Sequence, residues 1–205
     1  MRRQGLKYRQ RHGRPRWLGL TGGLASGKST AAGLLRRMGL RVHDSDAAVR
    51  RISAGLALPA IARLCPQAVV ADRLDRSVLA KAAIQNPVLL QRLEALLHPL
   101  VADDRANWAK RWPQRRQRWL VMEVPLLLET GLDRHCPQVL SLLAPVWLRQ
   151  RRALKRPNFN AEQWRRLTLL QASTAQHHKI SNHQLVNGLG KAWLYRQLFR
   201  TLRRI

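Results

Sequence analysis

At 205 residues the chain has room for one domain with a sizeable core, and its 45% apolar share belongs to a globular protein rather than a disordered one. No run approaches the ~18 consecutive apolar residues of a membrane span, and the N-terminus lacks the apolar centre of a secretory signal, so a cytoplasmic protein is expected. The 38 Lys+Arg against 11 Asp+Glu give a formal charge of +27, which suits a nucleic-acid partner and equally an enzyme whose substrates are polyanions.

The first sixteen residues, MRRQGLKYRQRHGRPR, hold seven Lys/Arg and no acid, the composition of a flexible basic tail. Ordered structure is expected from Trp17, with Trp17–Leu20 a short buried strand. Behind it, Gly22-Gly23-Leu24-Ala25-Ser26-Gly27-Lys28-Ser29 satisfies G-x-x-x-x-G-K-[ST], with Thr30 next. Glycines in such a loop let backbone N–H groups converge on phosphate oxygens, and the following helix adds its positive N-terminus. Lys28 is placed to reach the β- and γ-phosphates, and the Ser29 hydroxyl to ligate Mg²⁺. A helix over Ser29–Met38 ends at Gly39 in the C′ role. Leu40–Val42 is a second strand running into His43-Asp44-Ser45-Asp46. Carboxylates at a strand end on the phosphate side can take a proton from an acceptor hydroxyl or help hold a metal; Asp and Ser there equally suit a helix N-cap.

From about Ala47 to Arg118 the chain reads as helical. Asn86 as N-cap, Pro87 at N1 and leucines at 89, 90, 93, 96 and 97 define its clearest helix, which Pro99 is expected to end at His98. Trp119–Met122 is a third strand. Glu123 at its end suits a Walker B carboxylate, acting on Mg²⁺ through water or orienting Ser29. Gln138–Leu143 is a fourth strand. The arginine-rich stretch from Trp147 to Gln176 reads as helical and includes Arg149, Arg151, Arg152, Lys155 and Arg156. Arg152 and Arg156 share a helix face, as lid arginines neutralising a transferring phosphoryl group or as a solvated basic surface. Gln184–Val186 is a final strand before a helix from about Lys191. Strands separated by helices predict an α/β layered fold with a parallel sheet. Cys65 and Cys136 lie far apart without metal spacing and read as buried thiols.

Taken together, GLTGGLASGKST, GLRVHDSD, Leu74-Asp75-Arg76, Leu96–Pro99, Val124–Glu129, the lid arginines and Gln171 resemble the dephospho-coenzyme A kinases, over nearly the whole chain from about residue 17 to 190. The resemblance implies a three-layer P-loop NTPase fold with a five-stranded parallel sheet, a helical substrate-binding insertion over about 50–115 and a helical lid over about 147–176. It implies transfer of the ATP γ-phosphoryl group to the ribose 3′-hydroxyl of dephospho-coenzyme A by a monomer with no membrane or specific nucleic-acid partner. Asp46 would serve as base or orienter, Lys28 and Ser29 would manage phosphates and Mg²⁺, and Glu123 would support the metal. Asp44, Arg76, His98, Pro99 and Glu129 fall with the acceptor, Arg152 and Arg156 in the lid, and Asn187 near the nucleotide. The chain departs from the family pattern in carrying Glu123 where Asp is usual, Pro157-Asn158 after the lid arginine, and Leu185-Val186-Asn187-Gly188 where Ile-Asp-Asn is common. Two other readings stay open on the residues alone: a kinase of a nucleoside monophosphate or other small metabolite, and a degenerate P-loop protein binding nucleic acid through its charge.

Overall fold

The apolar run behind the basic stretch forms strand β1 (Arg16–Gly22), one residue longer at its start than the sequence predicts. The structure, a computed structural model, describes residues 16–112, 118–124, 127, 131–157, 159–169, 171 and 174–205. The basic stretch 1–15 and Glu129 lie outside the described residues. The chain divides into two compact units, one from the residues up to His43 and from Trp112 onward, the other spanning Asp44–Arg111.

In the first unit β1 leads to α1 (Lys28–Arg37) and β2 (Arg41–Asp44), and the chain returns as β5 (Trp119–Glu123) and β6 (Gln138–Leu143) once the second unit's β3 and β4, given below, are counted. After β6 come α6 (Val146–Leu154), α7 (Ala161–Leu169), α8 (Thr174–Ile180), β7 (His183–Val186) and α9 (Lys191–Arg204), with α2 to α5 in the second unit. The five-stranded parallel sheet has the order β2-β5-β1-β6-β7, so β1 is central and paired on both sides. A sheet covered on both faces needs apolar side chains on both. Leu18, Leu20, Val121, Leu140, Leu142 and Leu185 join α1 and α9 in one core, while Met122 and Val139 pack with Leu127 and Cys136 in another. Both cysteines are buried thiols. Helix α1 stops as its sequence requires. Gly39 sits at φ +93°, its N–H donates to Arg36 O and that of Leu40 to Leu35 O, each at 3.0 Å, the paired bonds of a Schellman cap.

The second unit holds α2 (Ser45–Ala54), α3 (Leu58–Leu64), a hairpin of β3 (Val69–Val70) and β4 (Arg73–Leu74), α4 (Arg76–Gln85) and α5 (Pro87–Lys110). Its core gathers Ile52, Ile61, Ala83, Leu89 and Leu93. Two sequence expectations are corrected here. The stretch is not helical throughout: Ala71 and Asp72, both at positive φ, turn the β3–β4 hairpin without the Asn-Gly or Asp-Gly that usually announces such a turn. Nor does Pro99 end the long helix, which runs on to Lys110 with Pro99 inside it. The missing N–H and the ring's clash cost about 3 kcal/mol, and apolar packing on either side of the proline offsets this. Leu96 and Leu97 before it and Leu100 and Val101 after it pack on the same core.

At the start of β7, His183 Nε2 lies 2.7 Å from Gln138 Oε1. Burial pushes the imidazole's pKa below its usual 6.5, and the positive charge of Arg204 adds to the effect. A base whose folded pKa is depressed takes up its proton more readily in the unfolded chain, so its contribution to stability falls as pH drops through the unfolded value of about 6.5 and below. The melting temperature of the wild-type chain is therefore expected to fall more between pH 7 and pH 5.5 than that of His183→Gln. Parallel pH profiles of the two proteins would remove this role from His183.

Candidate active site

The loop between β1 and α1 is shaped by residues that must leave the ordinary backbone regions. Gly22 adopts φ +144° with no room for a Cβ, which would run into Leu142 O. Gly27, the N-cap of α1, adopts φ +101° against the side-chain amide of Asn187. Between them Ala25 holds φ +57°, uncommon for a residue with a side chain. Lys28 folds back over the loop, its Nζ donating to Gly22 O at 2.5 Å and Gly23 O at 3.2 Å. Thr21 Oγ1 and Ser26 Oγ are buried without a hydrogen-bond partner among the described residues.

A cavity of about 410 Å³ opens at the helix end of this loop, lined by Ala25 to Thr30 with Arg152, Arg156, Asn187, Gly190 and Lys191 around them. Arg152, Arg156 and Asn187 therefore meet Lys28 and Ser29 in one place. No carboxylate stands among these lining residues. Buried Asn187 ties three segments together: its Nδ2 donates to Ser26 O at 2.7 Å, its N–H to Leu143 O at 2.7 Å, and its O accepts from Arg152 Nη1 at 3.3 Å.

Helices α6 and α7 pack against the loop through apolar side chains. Ala25 sits with Ala153 of α6 and Trp164 of α7, and Leu24 and Phe159 pack against them. Just beyond α7, Gln171 Oε1 accepts the Leu24 N–H at 2.6 Å. Arg149 lies against Gly23, with its guanidinium 5.8 Å from the centre of the Trp164 ring. Its Nε is buried without a hydrogen-bond partner among the described residues, and burial lowers the pKa of the guanidinium. Arg149 also borders a second cavity of about 430 Å³, beside Gly23, Thr168, Gln171 and His177. Sequence reasoning placed Arg149 only in a general basic segment. Arg149 and Arg152 do lie three apart on α6. That helix ends at Leu154, so Arg156 stands beyond it, and the expected sharing of a helix face by Arg152 and Arg156 is corrected. The turn after α6, not helical spacing, brings Arg156 to the cavity. His177, whose spacing suggests nothing, is buried with Nδ1 3.1 Å from the Ser141 hydroxyl.

Glu123 is buried at the end of β5, in register with Leu20 two residues before the loop. The Ser29 hydroxyl is exposed on the cavity. A carboxylate and a hydroxyl are the donor types Mg²⁺ takes, since it binds through one or two protein oxygens and keeps phosphate and water for the rest of its shell. Among the described residues no group of three His, Cys, Asp or Glu forms a cage of its own.

The second unit separates the two aspartates of the Asp-Ser-Asp motif. Asp44 is the N-cap of α2, its Oδ1 accepting the Ala47 N–H at 2.8 Å, while Asp46 stands exposed in the first turn. Arg76, His98 and Pro99 are exposed on α4 and α5. Asp75 before Arg76 is a cap: its Oδ1 accepts from Ser77 Oγ at 2.6 Å, Ser77 N–H at 2.9 Å and Val78 N–H at 3.1 Å. The Ser77 hydroxyl above all, then the two N–H groups, hold its carboxyl below the usual range.

The sequence profile of a family described as dephospho-CoA kinase matches residues 16–191. A dephospho-CoA kinase of Gluconobacter oxydans is 38% identical over 198 residues, covering 92% of this chain and 96% of the relative. One of Paramagnetospirillum magneticum is 39% identical over 147 residues, 71% of this chain and 69% of the relative. Among solved structures, a Thermus thermophilus protein superposes with a TM-score of 0.86 at 31% identity, over 94% of this chain and 98% of that one. A dephospho-CoA kinase from Campylobacter jejuni gives 0.63 at 17% identity, over 94% and 98%, and shares the fold.

Proposed function

The chain belongs to the dephospho-CoA kinase family and is an ATP-dependent kinase of dephospho-CoA, and on that premise we propose how its residues divide the work. The observation that carries the assignment of roles is the cavity at the helix end of the phosphate loop, where Lys28, Arg152 and Arg156 meet with no acid in its lining. The loop's N–H groups, Lys28 and the N-terminus of α1 hold the ATP phosphates. Arg152 and Arg156 offset the charge that spreads over the γ-phosphoryl oxygens during transfer, and Arg149 does the same from the strand end of the loop. Asn187 keeps the loop's Ser26 carbonyl and Arg152 in place. Ser29 and Glu123 hold Mg²⁺, which supplies further neutralisation of phosphate charge when bound.

Asp46 accepts the proton of the ribose 3′-hydroxyl as that oxygen attacks the γ-phosphorus and the bond to the ADP oxygen breaks. Arg76, His98, Pro99 and Glu129 serve the acceptor, while Asp44 positions the Asp46 turn by capping α2. Most of the acceleration then comes from positioning and charge neutralisation, as expected for phosphoryl transfer. Both substrates are polyanions, which gives the +27 charge a use in drawing them in, and steering of this kind weakens with salt. With small-molecule partners only, the expected setting is cytoplasmic and the working unit a monomer. No helix among the described residues is long and apolar enough to cross a membrane. Neither another metabolite acceptor nor a nucleic-acid role is favoured by the family membership.

The test is ADP formation by the purified chain with each acceptor in turn, the product identified by mass spectrometry. Dephospho-CoA is expected to give CoA, whereas nucleoside monophosphates give no ADP above background. Turnover of another acceptor without turnover of dephospho-CoA would overturn the reading.

A further inference from the structure

One polar contact to the phosphate loop comes from outside the nucleotide cavity. Gln171 lies 147 residues from Leu24 in sequence, yet its Oε1 accepts the Leu24 N–H at 2.6 Å. From this geometry we infer that Gln171 is a positioning residue for ATP, fixing the Leu24 peptide and through it the left-handed turn at Ala25. The inference rests on the loop being the ATP site, as proposed above.

Alanine holds φ +57° only when its surroundings impose it. Three neighbouring constraints do so here, all supplied by the C-terminal part of the chain. Gln171 holds the N–H of Leu24, Ala153 and Trp164 enclose the Ala25 methyl, and Asn187 holds Ser26 O. Asn187 lines the nucleotide cavity itself, whereas Gln171 lines the separate cavity beside Gly23 and His177. Gln171 therefore acts on ATP through the backbone it holds. An amide suits the task better than a carboxylate. Both offer an acceptor oxygen, but a carboxylate would set a negative charge against N–H groups that are to meet phosphate. Because Gln171 directly follows the lid helix α7, docking of the lid and completion of the phosphate loop become one event.

Two variants separate the roles. Gln171→Met keeps the length and apolar packing but has no acceptor oxygen; Gln171→Glu keeps the oxygen and adds charge. The readouts are hydrogen exchange of the Leu24 amide by NMR, with Leu18 and Leu20 of β1 as internal controls of folding, ADP affinity by calorimetry, and KM for each substrate. Gln171→Met is expected to lose about tenfold in Leu24 protection, in ADP affinity and in kcat/KM for ATP, while KM for dephospho-CoA stays within about twofold. Gln171→Glu is expected to keep Leu24 protection, and its weaker ADP binding is less weakened at high salt relative to wild type. Wild-type Leu24 protection and ADP affinity in Gln171→Met overturn the inference, as does equal loss of protection in both variants. A wild-type chain that binds ADP and protects Leu24 but leaves dephospho-CoA unphosphorylated would instead overturn the acceptor assignment and leave the role of Gln171 standing.

Discussion

Replacing Lys28 by methionine is expected to lower kcat/KM for ATP by roughly a thousandfold while leaving the fold intact. The side chain is half-buried and its ammonium bridges the carbonyls of Gly22 and Gly23, so the substitution removes the one full positive charge carried by the loop itself. A single preorganised donor aimed at developing negative charge is worth about 10²–10³ in rate, and a cation facing two phosphates belongs at or beyond the upper end. Arginine would not restore activity: its planar fork is wider than a point charge and cannot occupy the same bridge between two adjacent carbonyls. The fold should survive because α1 is held by other groups. Ala31, Ala32, Leu34 and Leu35 are buried in the main core, and the Schellman cap at Gly39 is remote from the loop. Steady-state kinetics with ATP varied, beside a thermal melt, checks both halves of the expectation. A loss of less than about tenfold would mean that the loop N–H groups with Arg152 and Arg156 suffice without Lys28.

Legibility in the sequence followed the range of the physics. The central strand, α1, the end at Gly39 and the fourth strand at Gln138–Leu143 are governed by near neighbours, and the sequence predicts them closely. So does the phosphate loop, whose glycines are required by backbone geometry that the spacing itself encodes. Pro99 misled because local propensity counts the lost N–H but not Leu96, Leu97, Leu100 and Val101, whose burial carries the helix through. The β3–β4 hairpin escaped because Ala71 and Asp72 are not the residues that announce a left-handed turn. Within the site, Lys28 and Ser29 were legible while Gln171 was known only as part of a resemblance. Nothing local in QAST states that its amide will hold an N–H 147 positions away. Arg149 was hidden for another reason: in a chain with 38 Lys+Arg, one more arginine carries little information until its guanidinium is found against Gly23.

The structure also sharpens the test of the Asp-Ser-Asp motif. On sequence grounds its carboxylates were equally suited to chemistry and to capping a helix, and the geometry shows Asp44 spent on the cap. Its Oδ1 takes the Ala47 N–H at 2.8 Å, whereas Asp46 stands exposed in the first turn of α2. Two conservative substitutions two residues apart should therefore behave differently. Asp44→Asn keeps a good capping oxygen, since Asn and Asp cap about equally well, and should leave stability within a few tenths of a kcal/mol. Asp46→Asn removes the proposed proton acceptor and is expected to lower kcat by roughly 10²–10⁴, the range for general base catalysis. ADP affinity of Asp46→Asn should stay at the wild-type level, because the residue is assigned to the acceptor hydroxyl and not to the nucleotide. Calorimetry with ADP and single-turnover kinetics with dephospho-CoA separate the two effects. If Asp46→Asn keeps a near-normal rate of the chemical step, the carboxylate is not the base, and the hydroxyl proton must leave through the phosphoryl oxygens themselves. If Asp44→Asn alone loses that step at unchanged stability, the capping carboxylate also touches the acceptor, and the roles of the two aspartates are reversed.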